Sequence, residues 1–204
     1  MVRPFVIGLT GSIAMGKSET ARLFAEEGVA VHDADAAIAR LYGKGGAAVA
    51  AIGREFPDAV QDGAVDRARL SARVAANPVA LKKLESLVHP LVAGEREEFL
   101  RGAAAHGEAI VVLDIPLLFE TGLEGEMDAL VVASAPESLQ RERALSRPGM
   151  TMEKFETLLA RQVPDVEKRS KAHFVVVTDQ GLAHARAQVR MILATIREKL
   201  QNHA

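Results

Sequence analysis

The sequence contains no cysteine. That absence excludes disulfide frameworks, thiol nucleophiles and Cys-ligated zinc or iron–sulfur centres. It agrees with a cytoplasmic location, which is the expectation here, although exported chains can lack cysteine too. Long hydrophobic runs are missing as well. Phe5 to Leu9 and Ala109 to Leu113 are too short for a signal-peptide core or a bilayer span, so no membrane association is expected. Neither sign of charge dominates: 25 Lys+Arg against 27 Asp+Glu leave −2, which argues against a protein held to nucleic acid by its overall field. The six histidines show no metal-ligand spacing, and neither repeats nor low-complexity linkers occur. What remains is an ordinary globular balance: 204 residues, 49% hydrophobic and 25% charged. Such a chain makes one or two domains with a sizeable core.

Phe5-Val6-Ile7-Gly8-Leu9 is continuous and partly β-branched, as a strand covered on both faces should be. A glycine-containing turn follows, then a helical pattern from Lys17 that Gly28 stops. Further strands are predicted at Val29–Val31, Ala109–Leu113, Ala129–Ala133 and Phe174–Val177. Between the second and third of the five lies a mostly helical stretch, Ala36 to about Ala105, with breaks at Gly43–Gly46, Pro57-Asp58, Asp62-Gly63, Asn77-Pro78 and His89-Pro90 and no convincing strand. Helices are predicted at Glu137–Leu145, Met152–Arg161, Asp165–Lys171 and Leu182–Leu200. Strands alternating with helices imply an α/β fold on a parallel sheet, with the helical stretch inserted as a cap.

Gly11-Ser12-Ile13-Ala14-Met15-Gly16-Lys17-Ser18 matches G-x-x-x-x-G-K-[ST] and sits between a predicted strand and a predicted helix, the context this motif requires. Its backbone N–H groups would cradle phosphate oxygens while the helix N-terminus faces the same anion. Lys17 would reach the β- and γ-phosphates, and the Ser18 hydroxyl would serve Mg²⁺. The motif therefore predicts a nucleoside triphosphate site with Mg²⁺.

In an open parallel sheet, ligands gather at the carboxyl ends of strands. Asp33 and Asp35 end the second strand and Asp114 the third. Each has two readings. A carboxylate there can orient and deprotonate an attacking hydroxyl or hold Mg²⁺; it can also cap the next helix or turn. Arg141, Arg143 and Arg147 precede Pro148-Gly149, and Arg161 follows. They suit charge neutralisation on a mobile segment, or simply a solvated face, since Glu142, Glu153 and Glu156 are interleaved. His89 by itself reads as a structural hydrogen-bonding residue.

With these residues placed, the chain resembles the dephospho-coenzyme A kinase family from Ile7 to about Gly181. The resemblance rests on Gly8 to Ser18, Asp33-Ala34-Asp35, Leu87-Val88-His89-Pro90-Leu91-Val92, Asp114-Ile115-Pro116-Leu117-Leu118-Phe119-Glu120 and the later arginines. The phosphate loop alone is shared with many kinases; the ordered combination is specific. The resemblance implies a three-layer P-loop NTPase fold with a five-stranded parallel sheet, a helical substrate-binding insertion (36–106) and a lid (141–171). The nucleotide-binding core would comprise 1–35, 107–140 and 172–204. It also implies transfer of the ATP γ-phosphoryl group to the ribose 3′-hydroxyl of dephospho-coenzyme A, by a monomer or weak homo-oligomer. Carried over by position, Asp35 is the base with Asp33 in support, and Arg143 and Arg147 are the lid arginines. Gly11 through Glu19 contact nucleotide, and Ser18 and Asp114 hold the metal. His89, Pro116, Leu117 and Glu120 fall on the acceptor side.

The loop departs from the family at three positions. Ser12 and Ala14 stand where glycine is usual and restrict the backbone. Glu19 replaces a hydroxyl residue, stabilising the helix start while setting a negative charge near an α-phosphate unless it turns away. Two rival readings are a kinase for nucleosides or nucleoside monophosphates, and a GTPase-type switch. The first lacks the His-Pro and Pro-Leu-Leu-Phe-Glu elements. The second needs an Asn-Lys-x-Asp element, which does not occur; the segment after the last strand is Thr178-Asp179-Gln180-Gly181.

Overall fold

A computed structural model describes residues 3–75 and 77–202. The chain divides into two compact units, with boundaries between His32 and Asp33 and between Gly102 and Ala103. Among the described residues, no helix is long and apolar enough to cross a membrane.

The first unit is built on a five-stranded sheet. Its strands are β1 (Phe5–Thr10), β2 (Ala30–Asp33), β5 (Ile110–Asp114), β6 (Ala129–Ser134) and β7 (Phe174–Val177), in the order β2-β5-β1-β6-β7. The β1–β5, β1–β6 and β6–β7 pairs are parallel. Every residue of β5 and β6 is buried, as expected of strands covered on both faces, and their Val-rich runs are the sequence trace of that burial. Helices α1 (Lys17–Glu26) and α9 (Gly181–Gln201) share one core with the sheet. There Phe24, Val189, Ile192 and Leu193 meet Ile7, Leu9, Val112 and Val131. Helices α6 (Glu137–Leu145), α7 (Met152–Leu159) and α8 (Asp165–Lys171) complete this unit.

The second unit carries α2 (Ala34–Tyr42), α3 (Val49–Glu55), α4 (Arg67–Val74) and most of α5 (Pro78–Ala105). They enclose a core of Leu41, Ile52, Phe56, Val65, Leu70 and Val88. Arg67 lies over the Tyr42 ring, 5.6 Å from its centroid, and burial pushes the Tyr42 hydroxyl above its ordinary pKa.

Two sequence expectations need correction in this unit. The stretch is not free of strands: β3 (Val60–Gln61) and β4 (Ala64–Val65) form an antiparallel hairpin. Its turn is Asp62-Gly63, both at positive φ (49° and 78°), the geometry a two-residue hairpin favours. Nor does His89-Pro90 break a helix, because α5 runs through Pro90. A proline removes its own backbone bond and crowds the carbonyl four residues back, but apolar neighbours on either side of it, Val88 and Leu91, stay packed in the unit's core. At Asn77-Pro78 the expected break holds, between α4 and α5: Asn77 Oδ1 accepts from the Ala80 N–H at 3.1 Å, with proline in the first turn of α5.

Candidate active site

The phosphate loop follows β1 and opens α1, as the motif requires. Gly16 is the N-cap residue, left-handed at φ 92°, and among the described residues no side chain caps the helix. The first N–H groups of a helix have no intrahelical partner, so those of α1 remain directed at the loop, where an anion would sit. Both motif glycines are needed for space. A Cβ on Gly11 would lie 2.7 Å from the Ala133 carbonyl oxygen, and one on Gly16 would lie 2.9 Å from Thr178 Oγ1. Ala14 adopts φ 62°, a left-handed conformation that costs an L-residue about 1–2 kcal/mol. Ser12 is buried, and among the described residues its hydroxyl has no hydrogen-bond partner.

Lys17 Nζ donates to Asp114 Oδ1 at 2.6 Å, and both side chains are largely shielded from solvent. The strand-end acid and the loop lysine are thus brought together, opposite charges beside a phosphate cradle. This arrangement fits a Mg²⁺-nucleotide in its donor set: one hydroxyl, Ser18, and one carboxylate, Asp114. Among the described residues, no group of three or more His, Cys, Asp or Glu could cage a metal. Mg²⁺ commonly relies on one or two carboxylates together with substrate phosphates and water.

Arg143 sits in the last turn of α6. Its Nη1 donates to Thr178 Oγ1 at 2.9 Å and its Nη2 to the Thr178 carbonyl at 2.7 Å. Thr178 Oγ1 in turn donates to the Met15 carbonyl at 2.9 Å. One hydroxyl therefore ties the arginine to the phosphate loop. Arg147 lies just beyond α6 and is exposed, as are Arg141 and Arg161. Glu19 is bound by Arg22, whose Nε donates to Glu19 Oε1 at 3.0 Å, so its charge is partnered on the surface of α1.

Two glutamines that sequence reasoning passed over also bind the loop. The Ile13 N–H donates to Gln162 Oε1 at 2.9 Å, and Gln140 Nε2 donates to the Ile13 carbonyl at 2.9 Å. Ala14, Ala144 and Phe155 form a small apolar cluster, with Ile13, Met150 and Leu159 against it. The helical segment expected to act as a lid is thus seated on the loop itself.

Glu120 belongs to the same unit. Its Oε1 lies 2.8 Å from Lys168 Nζ, and Lys168 is fully buried; the same oxygen accepts from the Val163 N–H at 2.8 Å. Nothing in a charged helix such as α8 marks one lysine as buried. Among the acceptor-side candidates, the Pro116 carbonyl accepts from Thr10 Oγ1 at 3.2 Å, and Leu117 is exposed. In the helical unit, Asp33 Oδ1 accepts from the Ala36 N–H at 3.0 Å, capping α2. Asp35 lies exposed in the first turn of α2, and His89 is exposed on α5.

Comparison with known proteins agrees with this geometry. The family model described as dephospho-CoA kinase matches residues 5–184. A dephospho-CoA kinase of Mesorhizobium japonicum is 54% identical over 192 residues, covering 94% of this chain and 96% of the relative. One of Cereibacter sphaeroides is 55% identical over 197 residues, covering 97% and 98%. A crystal structure from Thermus thermophilus superposes with a TM-score of 0.83 at 33% identity, over 95% of this chain and 98% of that one.

Proposed function

The chain belongs to the dephospho-CoA kinase family, and from that premise we propose how its residues carry the ATP γ-phosphoryl group to the ribose 3′-hydroxyl of dephospho-coenzyme A. The observation that carries the reading is the ion pair of Lys17 with Asp114 at 2.6 Å, set at an uncapped helix start beneath a phosphate loop.

The loop amides and the α1 N-terminus bind the β- and γ-phosphates of ATP. Lys17 shares its ammonium between Asp114 and the phosphate oxygens. Ser18 and Asp114 would hold the Mg²⁺ that accompanies ATP, and that ion, when bound, spreads charge over the phosphate oxygens. Arg143 contributes positive charge from a position fixed by Thr178, and Arg147, exposed just beyond α6, reaches toward the transferring group. Asp35 orients the ribose hydroxyl and takes its proton as the oxygen attacks phosphorus in line. Asp33 keeps one carboxylate oxygen beyond its capping bond and supports Asp35. His89, Pro116 and Leu117 bind the acceptor, while Glu120 shapes the acceptor loop through Lys168 and Val163. Seating of the α6–α8 segment excludes water, so that the phosphoryl group reaches the hydroxyl rather than being hydrolysed.

The test is ADP release with Mg·ATP and a panel of acceptors: dephospho-coenzyme A, adenosine, nucleoside monophosphates and shikimate. The reading expects turnover with dephospho-coenzyme A at a rate far above that with the others or without acceptor. Comparable rates with a nucleoside monophosphate would contradict it.

A further inference from the structure

We propose that Gln140, Gln162 and Thr178 are positioning residues that brace the crest of the phosphate loop in its phosphate-accepting shape, acting through the loop backbone and not on nucleotide. The proposal rests on the loop being the ATP site.

The brace is visible in the order of the contacts. The Ile13 peptide groups are held on both sides, the N–H by Gln162 Oε1 and the carbonyl by Gln140 Nε2, each at 2.9 Å. The next residue, Ala14, carries the left-handed φ of 62°. One residue further, the Met15 carbonyl is held by Thr178 Oγ1 at 2.9 Å, and the Met15 N–H closes onto the Ser12 carbonyl at 3.1 Å. The strained residue therefore lies between two residues whose backbone groups are fixed by side chains from three separate places: α6, the turn after α7, and the end of β7. Strained backbone persists only where its surroundings over-determine it. Gln140 is 2% exposed, and a buried carboxamide is retained where its hydrogen bonds are satisfied. The chemistry also fixes each amide's orientation, since an N–H needs the oxygen and a carbonyl needs the nitrogen.

Without the brace, the loop relaxes at Ala14 and the amides lose their aim. A glycine at the same position adopts positive φ without that penalty, so the need for the brace should shrink. The test measures the Kd of Mg·ATP by titration calorimetry on the full chain, together with KM for dephospho-coenzyme A and the melting temperature. The variants are Gln162→Met, Gln162→Asn, Gln140→Glu, Thr178→Val and Ala14→Gly, and the double variant Ala14→Gly with Gln162→Met. Gln162→Met should raise Kd for Mg·ATP about fivefold, the worth of one ordinary hydrogen bond, and leave KM for dephospho-coenzyme A within about twofold. Gln140→Glu, which sets acceptor against acceptor, should raise Kd further. In the Ala14→Gly background, the Gln162→Met penalty should fall to within about twofold. Gln162→Asn, too short to reach Ile13, should behave as Gln162→Met and serves if that variant fails to fold. An unchanged Kd, an equal rise in both constants, or the same penalty in both backgrounds would overturn the proposal. Wild type that binds Mg·ATP but leaves dephospho-coenzyme A untouched would instead overturn the acceptor reading alone.

Discussion

Lys168→Met isolates a single buried charge. The lysine is fully buried and lies 2.8 Å from Glu120, whose side chain is 13% exposed. Methionine keeps most of the stem volume and removes the ammonium, stranding a carboxylate that, among the described residues, retains only the Val163 N–H at 2.8 Å. Breaking a buried pair by removing one partner costs about 3–5 kcal/mol. The retained N–H bond and the partial exposure of Glu120 place this case near the lower end, about 3 kcal/mol. For a chain of this size each kcal/mol lowers the melting temperature by about 2–4 °C, so a drop of about 6–12 °C is expected. Adding Glu120→Gln removes the stranded charge, and the double variant should recover most of the loss, because neutral replacement of both partners is far milder than removal of one. Circular-dichroism melts of wild type, both single variants and the double variant supply the cycle. A Lys168→Met melt within 2 °C of wild type, measured against the ~6 °C minimum expected, would refute the reasoning. So would a double variant as unstable as the sum of its singles. Because Val163 adjoins Gln162, the Lys168→Met lesion should also weaken ATP binding.

Further predictions concern the active site and the surface of α1. Asp35→Asn keeps size and removes the base; kcat should fall by roughly 10²–10⁴-fold, and a near-normal kcat in the coupled assay would remove Asp35 from that role. Glu19→Thr should leave the KM for ATP within about twofold, because an ion-paired surface carboxylate is worth little and Glu19 is already bound by Arg22; a large fall in KM would show that its charge opposes nucleotide. Glu26, held by Arg186 and Arg22, has its carboxyl below the ordinary pKa, chiefly through the Arg186 hydrogen bond. A depressed carboxyl contributes stability above its unfolded pKa, near 4.3, and loses it as pH falls through the folded value. The melting gap between wild type and Glu26→Gln should therefore narrow from pH 7 to pH 3, and a constant gap would contradict this assignment.

Much of the architecture was legible because it is written in local pattern. The five apolar runs correspond to the five strands, with every end within two residues. The phosphate loop was readable from glycine spacing, and its strand–loop–helix setting followed. The β3–β4 hairpin escapes the pattern because two residues per strand carry no periodicity, although Asp62-Gly63 is itself a hairpin signal. Pro90 looks locally like a stop, and local rules ignore the core packing that carries α5 past it. The Gln140 and Gln162 contacts are long-range, and glutamine has no pattern that announces a backbone partner. Lys168 looked like one more charge on a charged helix, since burial of a single lysine depends on Glu120, far away in sequence. Asp33 shows the reverse: its capping bond to the Ala36 N–H is legible from position.

The most direct measurement is product analysis after complete turnover of dephospho-coenzyme A with Mg·ATP, by ³¹P NMR and mass spectrometry. The account predicts one ADP for each coenzyme A formed, with a new phosphomonoester on the ribose 3′-hydroxyl. Release of inorganic phosphate with the acceptor unchanged, or a phosphoryl group on another hydroxyl, would contradict it.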